Sequence, residues 1–465
     1  MMEWHATWDD PFTAYLIQFD SLLGDARTRT TLTETVKGII AAGSLVCQRI
    51  AACSPVLAAA QNGAQRIIRM ISGASTKRSP DLDAAHLTAK LRAHAVAQLG
   101  SVPADELWVI ADGSDLRKPY ARDMPHLMRV KDLDGSLVNG YRTLNVLGIT
   151  PNRRGVLYHR LFSSKAPGFL SESHEVQQAL QTVSQAIAPL KARMAATWIL
   201  DSGFDAVVVW RTIWEQEEHV VCRVKHTDRL LAFEDQAGQW HDGDISHAQQ
   251  HLRRMGAAEA MLVVQRGRQR RPKEQRVGVE VWACPLRLRY ATNVRRAGTG
   301  VEVEKLLWLV EVRIPDTTME PWLLVTDWPV LDEPSAVRLF CMYRQRWAVE
   351  DSFKFTKDCL GWEEVQVMDL EAVRTLVALG WVAAGFVYDL GVTLEWAEVW
   401  VLARRGGWVP HKDRKPGKIT LTRGLRRLIE MLTTEAILTA YWKEHGAFPP
   451  KIAAFLKGWQ PPEEL

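Results

Sequence analysis

Two aspartates follow short runs of apolar residues, at the points where predicted β-strands end. Asp112 comes after the run 107–111, and Asp201 comes after the run 196–200. Such runs predict buried strands, and in α/β sheets ligands bind at the carboxyl ends of neighbouring strands. Two carboxylates held that close repel each other, and a hard divalent cation relieves the repulsion. Taken singly, each aspartate is also typical of a residue that caps a turn or a helix.

A third carboxylate lies in a segment predicted to be one helix, because residues 343–357 contain neither glycine nor proline. At about 100° per residue, one stripe of this helix carries a phenol, a guanidinium, a carboxylate and two ammonium groups. These are Tyr343, Arg346, Glu350, Lys354 and Lys357. The set suits a metal-binding carboxylate flanked by cations that hold phosphates. The alternative is a solvated helix face with an ion pair between Glu350 and Lys354.

The spacing Tyr-x2-Arg-x3-Glu-x6-Lys resembles the YREK signature of bacterial insertion-sequence DDE transposases. All four positions match, at Tyr343, Arg346, Glu350 and Lys357. In that family the signature helix carries the third catalytic acid, and the two strand-end aspartates then correspond to the first two. The longer gap before the third acid agrees with the β-rich insertion that the family carries there. At the first aspartate, Asp-Gly-Ser stands where some relatives have Asp-Asp-Thr, and the carboxylate is retained.

The resemblance implies an α/β fold with an RNase H-like catalytic core, a mixed five-stranded sheet flanked by helices. It also implies two Mg²⁺ or Mn²⁺ ions held by Asp112, Asp201 and Glu350. One ion activates water or a 3′-hydroxyl, and the other stabilises the leaving oxygen. The expected reaction is cleavage at transposon ends followed by strand transfer into target DNA. Two alternatives stay open: a catalytically silent DNA-binding protein derived from such an enzyme, and an RNase H-like nuclease without strand transfer.

The patterning and the resemblance together divide the chain into five expected regions. They are a helical DNA-binding region at 1–100, the two parts of the catalytic core at 101–226 and 321–365, the β-rich insertion at 227–320, and a C-terminal helical region at 366–465.

Further DNA contacts are expected outside the three acids. The cations Arg346, Lys354 and Lys357 would hold phosphates, and Tyr343 would add a hydroxyl contact. The strand after the second aspartate ends in the basic residues Arg223 and Lys225. Trp322 resembles a base-stacking tryptophan of hairpin-forming relatives, with an ordinary core tryptophan as the alternative. A basic run in the insertion would neutralise phosphates, unless it is only a solvated loop. It includes Arg268, Arg270 and Arg271.

Composition limits the class of protein without identifying it. Of the 465 residues, 47% are hydrophobic and 24% are charged, which is ordinary for a globular protein. The net charge of +4 is too small to establish a nucleic-acid partner. No uninterrupted apolar run is long enough to predict a membrane span, and no cysteine pair has metal-site spacing. We expect a cytoplasmic, nucleoid-associated protein that binds double-stranded DNA, both terminal inverted repeats and target, and is a homodimer in the DNA complex.

Overall fold

A computed structural model describes residues 11–54, 56–57, 60–72, 79–264, 273–291, 302–315, 317–410, 415–456 and 459. Its α-helices are α1 (Ala26–Ala42), α2 (Cys47–Ala52), α3 (Ala60–Ile71), α4 (Ala84–Gly100), α5 (Glu172–Ile187), α6 (Val207–Trp214), α7 (Ile245–Gln249), α8 (Glu333–Arg344), α9 (Trp347–Leu360), α10 (Leu370–Thr393), α11 (Trp396–Arg405), α12 (Lys418–His445) and α13 (Pro450–Leu456). Its strands are β1 (Glu106–Arg117), β2 (Met128–Lys131), β3 (Leu137–Thr150), β4 (Arg153–Phe162), β5 (Ala195–Leu200), β6 (His219–Arg223), β7 (Leu230–Glu234), β8 (Trp240–Asp244), β9 (Arg253–Val264), β10 (Lys273–Ala291), β11 (Glu302–Arg313) and β12 (Trp322–Thr326).

Five strands in the first half of the chain form the part of the sheet that carries the first two acids. Their order is β4-β3-β1-β5-β6, with β2 also paired to β3. The pairs β4–β3 and β3–β1 are antiparallel, and the pairs β1–β5 and β5–β6 are parallel. Parallel neighbours need a crossover connection, and α6 lies in the connection between β5 and β6. This arrangement brings the carboxyl ends of β1, β5 and β6 to one region of the sheet.

The remaining strands continue the same sheet. β12 pairs with β6 on one side and with β11 on the other, and β10, β7 and β8 follow. β9 pairs with β10 along most of its length. The chain therefore leaves the first five strands after β6 and returns at β12 as their direct neighbour. The result is one large mixed sheet of twelve strands within the described residues.

Helices cover both faces of the sheet, because successive residues of β1 enter two different cores. Val109 and Ala111 pack in a core with residues of α5 and α6, whereas Ile110 packs in a larger core with residues of α9 and α10. This alternation is the period-two pattern of a strand that is buried on both faces. The described chain is thus a mixed α/β structure with a helical layer on each side of the sheet.

Helix α10 lies at the centre of the larger core. Its residues Leu376, Leu379 and Val382 are all fully buried. Among the described helices, α10 alone has the length and hydropathy to span a membrane, and 72% of its most apolar window is buried inside the protein. That burial is what the central helix of a folded core shows.

Candidate catalytic site

Asp112 and Asp201 occupy equivalent positions on two neighbouring strands. The parallel pairing of β1 and β5 ends at Ala111 and Leu200, and the two aspartates are the next residues. Neighbouring strands lie about 4.8 Å apart, so this register sets the two carboxylates side by side. The prediction that the first strand ends at Asp112 is wrong, because β1 continues to Arg117 in antiparallel pairing with β3.

The Asp112 carboxyl is strongly affected by its surroundings. Its side chain is 20% exposed, and its Oδ1 accepts a hydrogen bond from the Gly113 backbone N–H at 2.8 Å. Burial raises the pKa of Asp112 to about 7; the Arg346 guanidinium opposes this shift, and the charges of Asp201 and Glu350 add to it. All three predicted acids therefore act on one another electrostatically at this point of the sheet.

Arg346 provides the positive charge between these acids. Its Nη2 lies 2.5 Å from Glu350 Oε1, and its Nη1 lies 4.0 Å from Asp112 Oδ2. Burial lowers the pKa of Arg346, but the neighbouring Glu350, Tyr343 and Asp201 outweigh it and leave that pKa raised. The sequence offered Glu350 and Lys354 as the alternative ion pair, whereas the pair in the structure joins Glu350 to Arg346.

The predicted single helix over 343–357 is two helices. α8 ends at Arg344 and α9 begins at Trp347, with Gln345 and Arg346 between them. Arg346 nevertheless keeps helical backbone angles, with φ −51° and ψ −38°. Because the helical path continues through the junction, Arg346 and Glu350 still lie on one face.

The donor set has the chemistry of a site for a hard cation, but the described residues do not enclose one. Carboxylate oxygens are the ligands that Mg²⁺ and Mn²⁺ prefer. No three His, Cys, Asp or Glu side chains in the described part of the chain are grouped closely enough to hold a metal ion. In this structure the Glu350 carboxylate is turned to the guanidinium of Arg346. Glu350 itself is 49% exposed, so its side chain has room to take another rotamer.

Tyr343 and Trp322 are buried beneath the site. Tyr343 is 4% exposed, and its hydroxyl has no hydrogen-bond partner among the described residues. Burial raises the pKa of this phenol. Trp322 is 5% exposed and packs against Phe340, Tyr343 and Trp347, with ring centroids 5.9, 5.5 and 5.3 Å away. These contacts are those of a core tryptophan, and its predicted stacking on a DNA base stays a prediction.

Lys357 fixes α9 to the distal half of β1. Its Nζ donates to the Asp115 carbonyl at 2.9 Å and lies 3.3 Å from Glu363 Oε1. Arg117, at the end of β1, forms two hydrogen bonds to the same Glu363 carboxylate. The ammonium is therefore bound within the protein, whereas Lys354 is exposed. The phosphate contacts predicted for both lysines stay predictions.

The end of β6 is organised by a buried acid. Asp205 Oδ2 accepts from the backbone N–H groups of Lys225 and His226 at 2.5 and 2.8 Å, and Asp205 Oδ1 lies 2.7 Å from Arg229 Nη1. All these contacts of Asp205 serve to shape the loop after β6. Arg223 lies close enough to Tyr343 to influence its pKa, and the Lys225 side chain is exposed. Their predicted DNA contacts remain untested.

The basic run of the insertion lies outside the described residues. This applies to all three of its predicted DNA contacts: Arg268, Arg270 and Arg271.

A polar row beside Asp112 was not foreseen from the sequence. Asp112 pairs in register with Asn145 of β3, and Asn145 pairs in register with His159 of β4. The Asn145 Oδ1 accepts from His159 Nδ1 at 2.7 Å and from Trp381 Nε1 at 3.1 Å. The hairpin turn at 150–153 fixes the register of β3 and β4 only as far as Leu147 and Val156. A β-bulge then shifts the register by one residue before Asn145 meets His159.

Comparison with known proteins gives a distant structural likeness. The chain is similar to the piggyBac transposase in its synaptic complex with hairpin DNA, with 9% identity and a TM-score of 0.42. The alignment covers 88% of this chain and 70% of the other. No family model matches the sequence, and no curated relative matches it. Since a likeness of this degree carries no argument, the function has to be argued from the site itself.

Proposed function

We propose that this chain is a DNA transposase with an RNase H-like catalytic core, in which Asp112, Asp201 and Glu350 hold divalent metal ions. The observation that carries the proposal is the register of β1 and β5, which sets two aspartates side by side with Arg346 linking the first of them to Glu350. The strand order β4-β3-β1-β5-β6, with three antiparallel strands followed by two parallel ones, supports the assignment of the core.

The carboxylates of Asp201 and Glu350 both act on the largely buried Asp112, so the site needs a counter-charge, and two kinds of cation can supply it. Arg346 supplies it in this structure. Mg²⁺ or Mn²⁺ bound by the same acids would supply a Lewis acid that activates water or a 3′-hydroxyl and stabilises a leaving oxygen. The residue types fit such ions because all three donors are hard carboxylate oxygens, two after the parallel strand pair and one on α9. We propose that two such ions bind.

The other side chains of the site neutralise charge on the DNA or hold the acids in position. Arg346 carries a fixed positive charge, which suits it to neutralising a DNA phosphate beside the acids. Tyr343 presents a buried hydroxyl without a partner among the described residues, so it can donate to an oxygen of a substrate. Lys357, through Asp115, holds the helix that carries Glu350 against the strand that carries Asp112. This keeps the third acid in register with the first.

The test is cleavage of DNA that carries the inverted repeats flanking the gene, assayed with Mg²⁺ and with Mn²⁺. Asp112→Asn, Asp201→Asn and Glu350→Gln should each slow cleavage at least about a hundredfold, which corresponds to about 2.7 kcal/mol of barrier. DNA binding should stay nearly intact, because affinity comes mainly from phosphate contacts elsewhere. Glu304→Gln is the matched control, since it also neutralises one acid but lies on β11 in ion pairs with Arg287 and Arg289.

A metal-binding measurement tests the same three acids without relying on DNA cleavage. Electron paramagnetic resonance of added Mn²⁺ should show binding to the wild-type protein and to Glu304→Gln, and weaker binding to each site variant. Cleavage by Glu350→Gln at the wild-type rate would refute the role given to that residue. Cleavage without strand-transfer products in the wild type would favour the nuclease alternative, and neither activity would favour a silent DNA-binding protein.

The proposed function also requires that two protein chains assemble on DNA. Because cut-and-paste transposition brings two DNA ends together, we propose a homodimer on DNA in which each subunit binds one end and cuts the other. Light scattering with and without end DNA should show two protein chains for each pair of ends. One chain per end during excision of both ends would exclude this arrangement.

A further inference from the structure

A cavity of about 1030 Å³ lies beside the first turn of α9. Its walls are the turn between β3 and β4, the last turns of α10 and the first turn of α12. Gln345 and Asp351 also line it, and each is the chain neighbour of a residue in the proposed catalytic site, Arg346 and Glu350. The cavity and the catalytic site therefore border the same short stretch of helix.

Positive charge dominates the lining of this cavity. Among the described residues, three cationic side chains line it, Arg153, Arg154 and Lys418, against the single carboxylate of Asp351. Arg154 Nη1 lies 3.1 Å from Asp351 Oδ2, and Lys418 Nζ is paired to the same oxygen. One carboxylate is thus shared by two cations. An anion in the cavity would complete the neutralisation.

Arg153 carries the clearest sign of a missing partner. Its Nε and Nη1 atoms are buried, and neither has a hydrogen-bond acceptor among the described residues. A smaller adjoining cavity is lined by Arg153, His94 and Asp389. There the Asp389 carboxylate lies 3.5 Å from His94 Nε2. A buried guanidinium N–H without an acceptor is costly, because it has lost its hydrogen bonds to water. The Arg153 side chain lines both cavities, so the wall of the larger one includes an arginine with two N–H groups that are unpaired within the described chain.

The start of α12 adds an independent attraction for negative charge. This helix is 28 residues long, its N-cap Gly417 has no side chain to cap the free N–H groups, and its first turn contains no acid. Residues Gly417, Lys418 and Ile419 line the cavity. The N-terminus of a helix carries a partial positive charge and unsatisfied N–H donors, which together bind phosphate oxygens. Two separate elements therefore present donors to one volume.

We propose that this cavity binds a backbone phosphate of the DNA strand that enters the catalytic site, with Arg153 and the first turn of α12 as its donors. This inference rests on the proposed function for the identity of the anion. Asp351 lines the cavity and directly follows Glu350 in α9. The bound phosphate therefore belongs to the stretch of strand next to the scissile phosphate.

The first experiment measures binding of a short fluorescein-labelled DNA duplex by anisotropy at several salt concentrations. Arg153→Gln should weaken binding about tenfold, the equivalent of about 1.4 kcal/mol. It should also reduce the slope of log binding constant against log salt concentration by about one. Arg193→Gln is the control, because it removes the same charge from an exposed arginine just before β5, at the opposite end of that strand from Asp201. The control should leave both the DNA affinity and its salt dependence unchanged.

A second variant separates loss of binding from loss of folding. Gly417 has φ −82°, and a Cβ built there meets no atom within 4 Å, so a side chain fits. Gly417→Asp places a good N-cap residue on α12, which should raise the melting temperature. The same carboxylate repels a phosphate, which should weaken DNA binding. Opposite signs in the two measurements cannot come from misfolding.

A third measurement locates the phosphate and separates this inference from the proposed function. Single methylphosphonate substitutions along the duplex should weaken wild-type binding at one position close to the cut, and should not affect Arg153→Gln there. Sodium phosphate should raise the melting temperature of the wild type more than chloride at equal ionic strength, and should do so less for Arg153→Gln.

Failure of wild-type cleavage with all these effects present would overturn only the proposed function. Unchanged DNA binding in Arg153→Gln and Gly417→Asp, with or without the phosphate effect, would overturn the assignment to DNA.

Discussion

His159 makes the folded protein lose stability as the pH falls below neutrality. The imidazole lies between β4 and α10, with Nδ1 2.7 Å from Asn145 Oδ1 and the rings of Trp362 and Trp381 at 5.3 and 6.2 Å. Since the amide oxygen only accepts, Nδ1 carries the proton of the neutral ring. Nε2 is buried and has no partner among the described residues. A second proton would therefore be placed in an apolar, aromatic environment.

The sign and the size of the effect follow from the pKa. Burial lowers the pKa of His159 to about 3, against an ordinary value of 6.5 in the unfolded chain. Between these two values the unfolded chain binds a proton that the folded protein does not, so acid favours unfolding. The contribution is fully present above pH 6.5 and is lost as the pH falls towards 3. Between pH 7.5 and pH 5.5 the loss is about 1.4 kcal/mol.

Urea unfolding followed by tryptophan fluorescence at pH 7.5 and pH 5.5 measures this loss. Other groups also titrate in this range, so the informative quantity is the difference between the wild type and His159→Gln. The glutamine amide can still donate to Asn145 but has no proton to gain. The wild type should lose about 1.4 kcal/mol more than the variant over this interval. An equal loss in both proteins, or a chemical shift of the His159 ring that titrates near pH 6, would refute the buried neutral imidazole.

Two further predictions concern the framework of the site. Lys191→Met removes the only cation that lies in an ion pair with the buried Glu218 among the described residues, and should destabilise the fold by about 3 kcal/mol in urea unfolding. The double variant with Glu218→Gln should recover part of that loss, and no recovery would contradict the charge argument. Gly140→Ala places a Cβ against the Leu116 carbonyl and should cost about 1–3 kcal/mol, whereas Gly278→Ala, with no atom within 4 Å, should cost less than 1 kcal/mol. Equal melting temperatures of the two alanine variants would count against the close approach of β1 and β3.

The sequence predicted a strand before Asp112 but not the full length of that strand. Asp112 was predicted at a strand end because Gly113, Ser114 and Asp115 are turn-forming residues. In the structure these residues pair with β3, and Arg117 still pairs with Gly140. Long-range pairing outweighed local preference here, as it commonly does in strands.

The stripe that joins Arg346 to Glu350 was predictable because it depends only on helical spacing. A junction at Gln345 left the spacing unchanged. In contrast, the contacts of Asn145 with His159 and Trp381 join three separate elements. Their closeness depends on tertiary packing, about which a single sequence carries no distance information. The five-region division of the chain stays a prediction.

The return of the chain at β12 has a consequence for synthesis on the ribosome. β6 emerges early, but its second neighbour β12 is made only after five further strands, β7 to β11, have been completed. Until then β6 is an unpaired edge with the apolar residues Val221 and Cys222, which are buried in the finished protein. Such edges template association with other chains. The nascent protein therefore passes through a long interval in which its central strand needs protection by a chaperone or by fast translation.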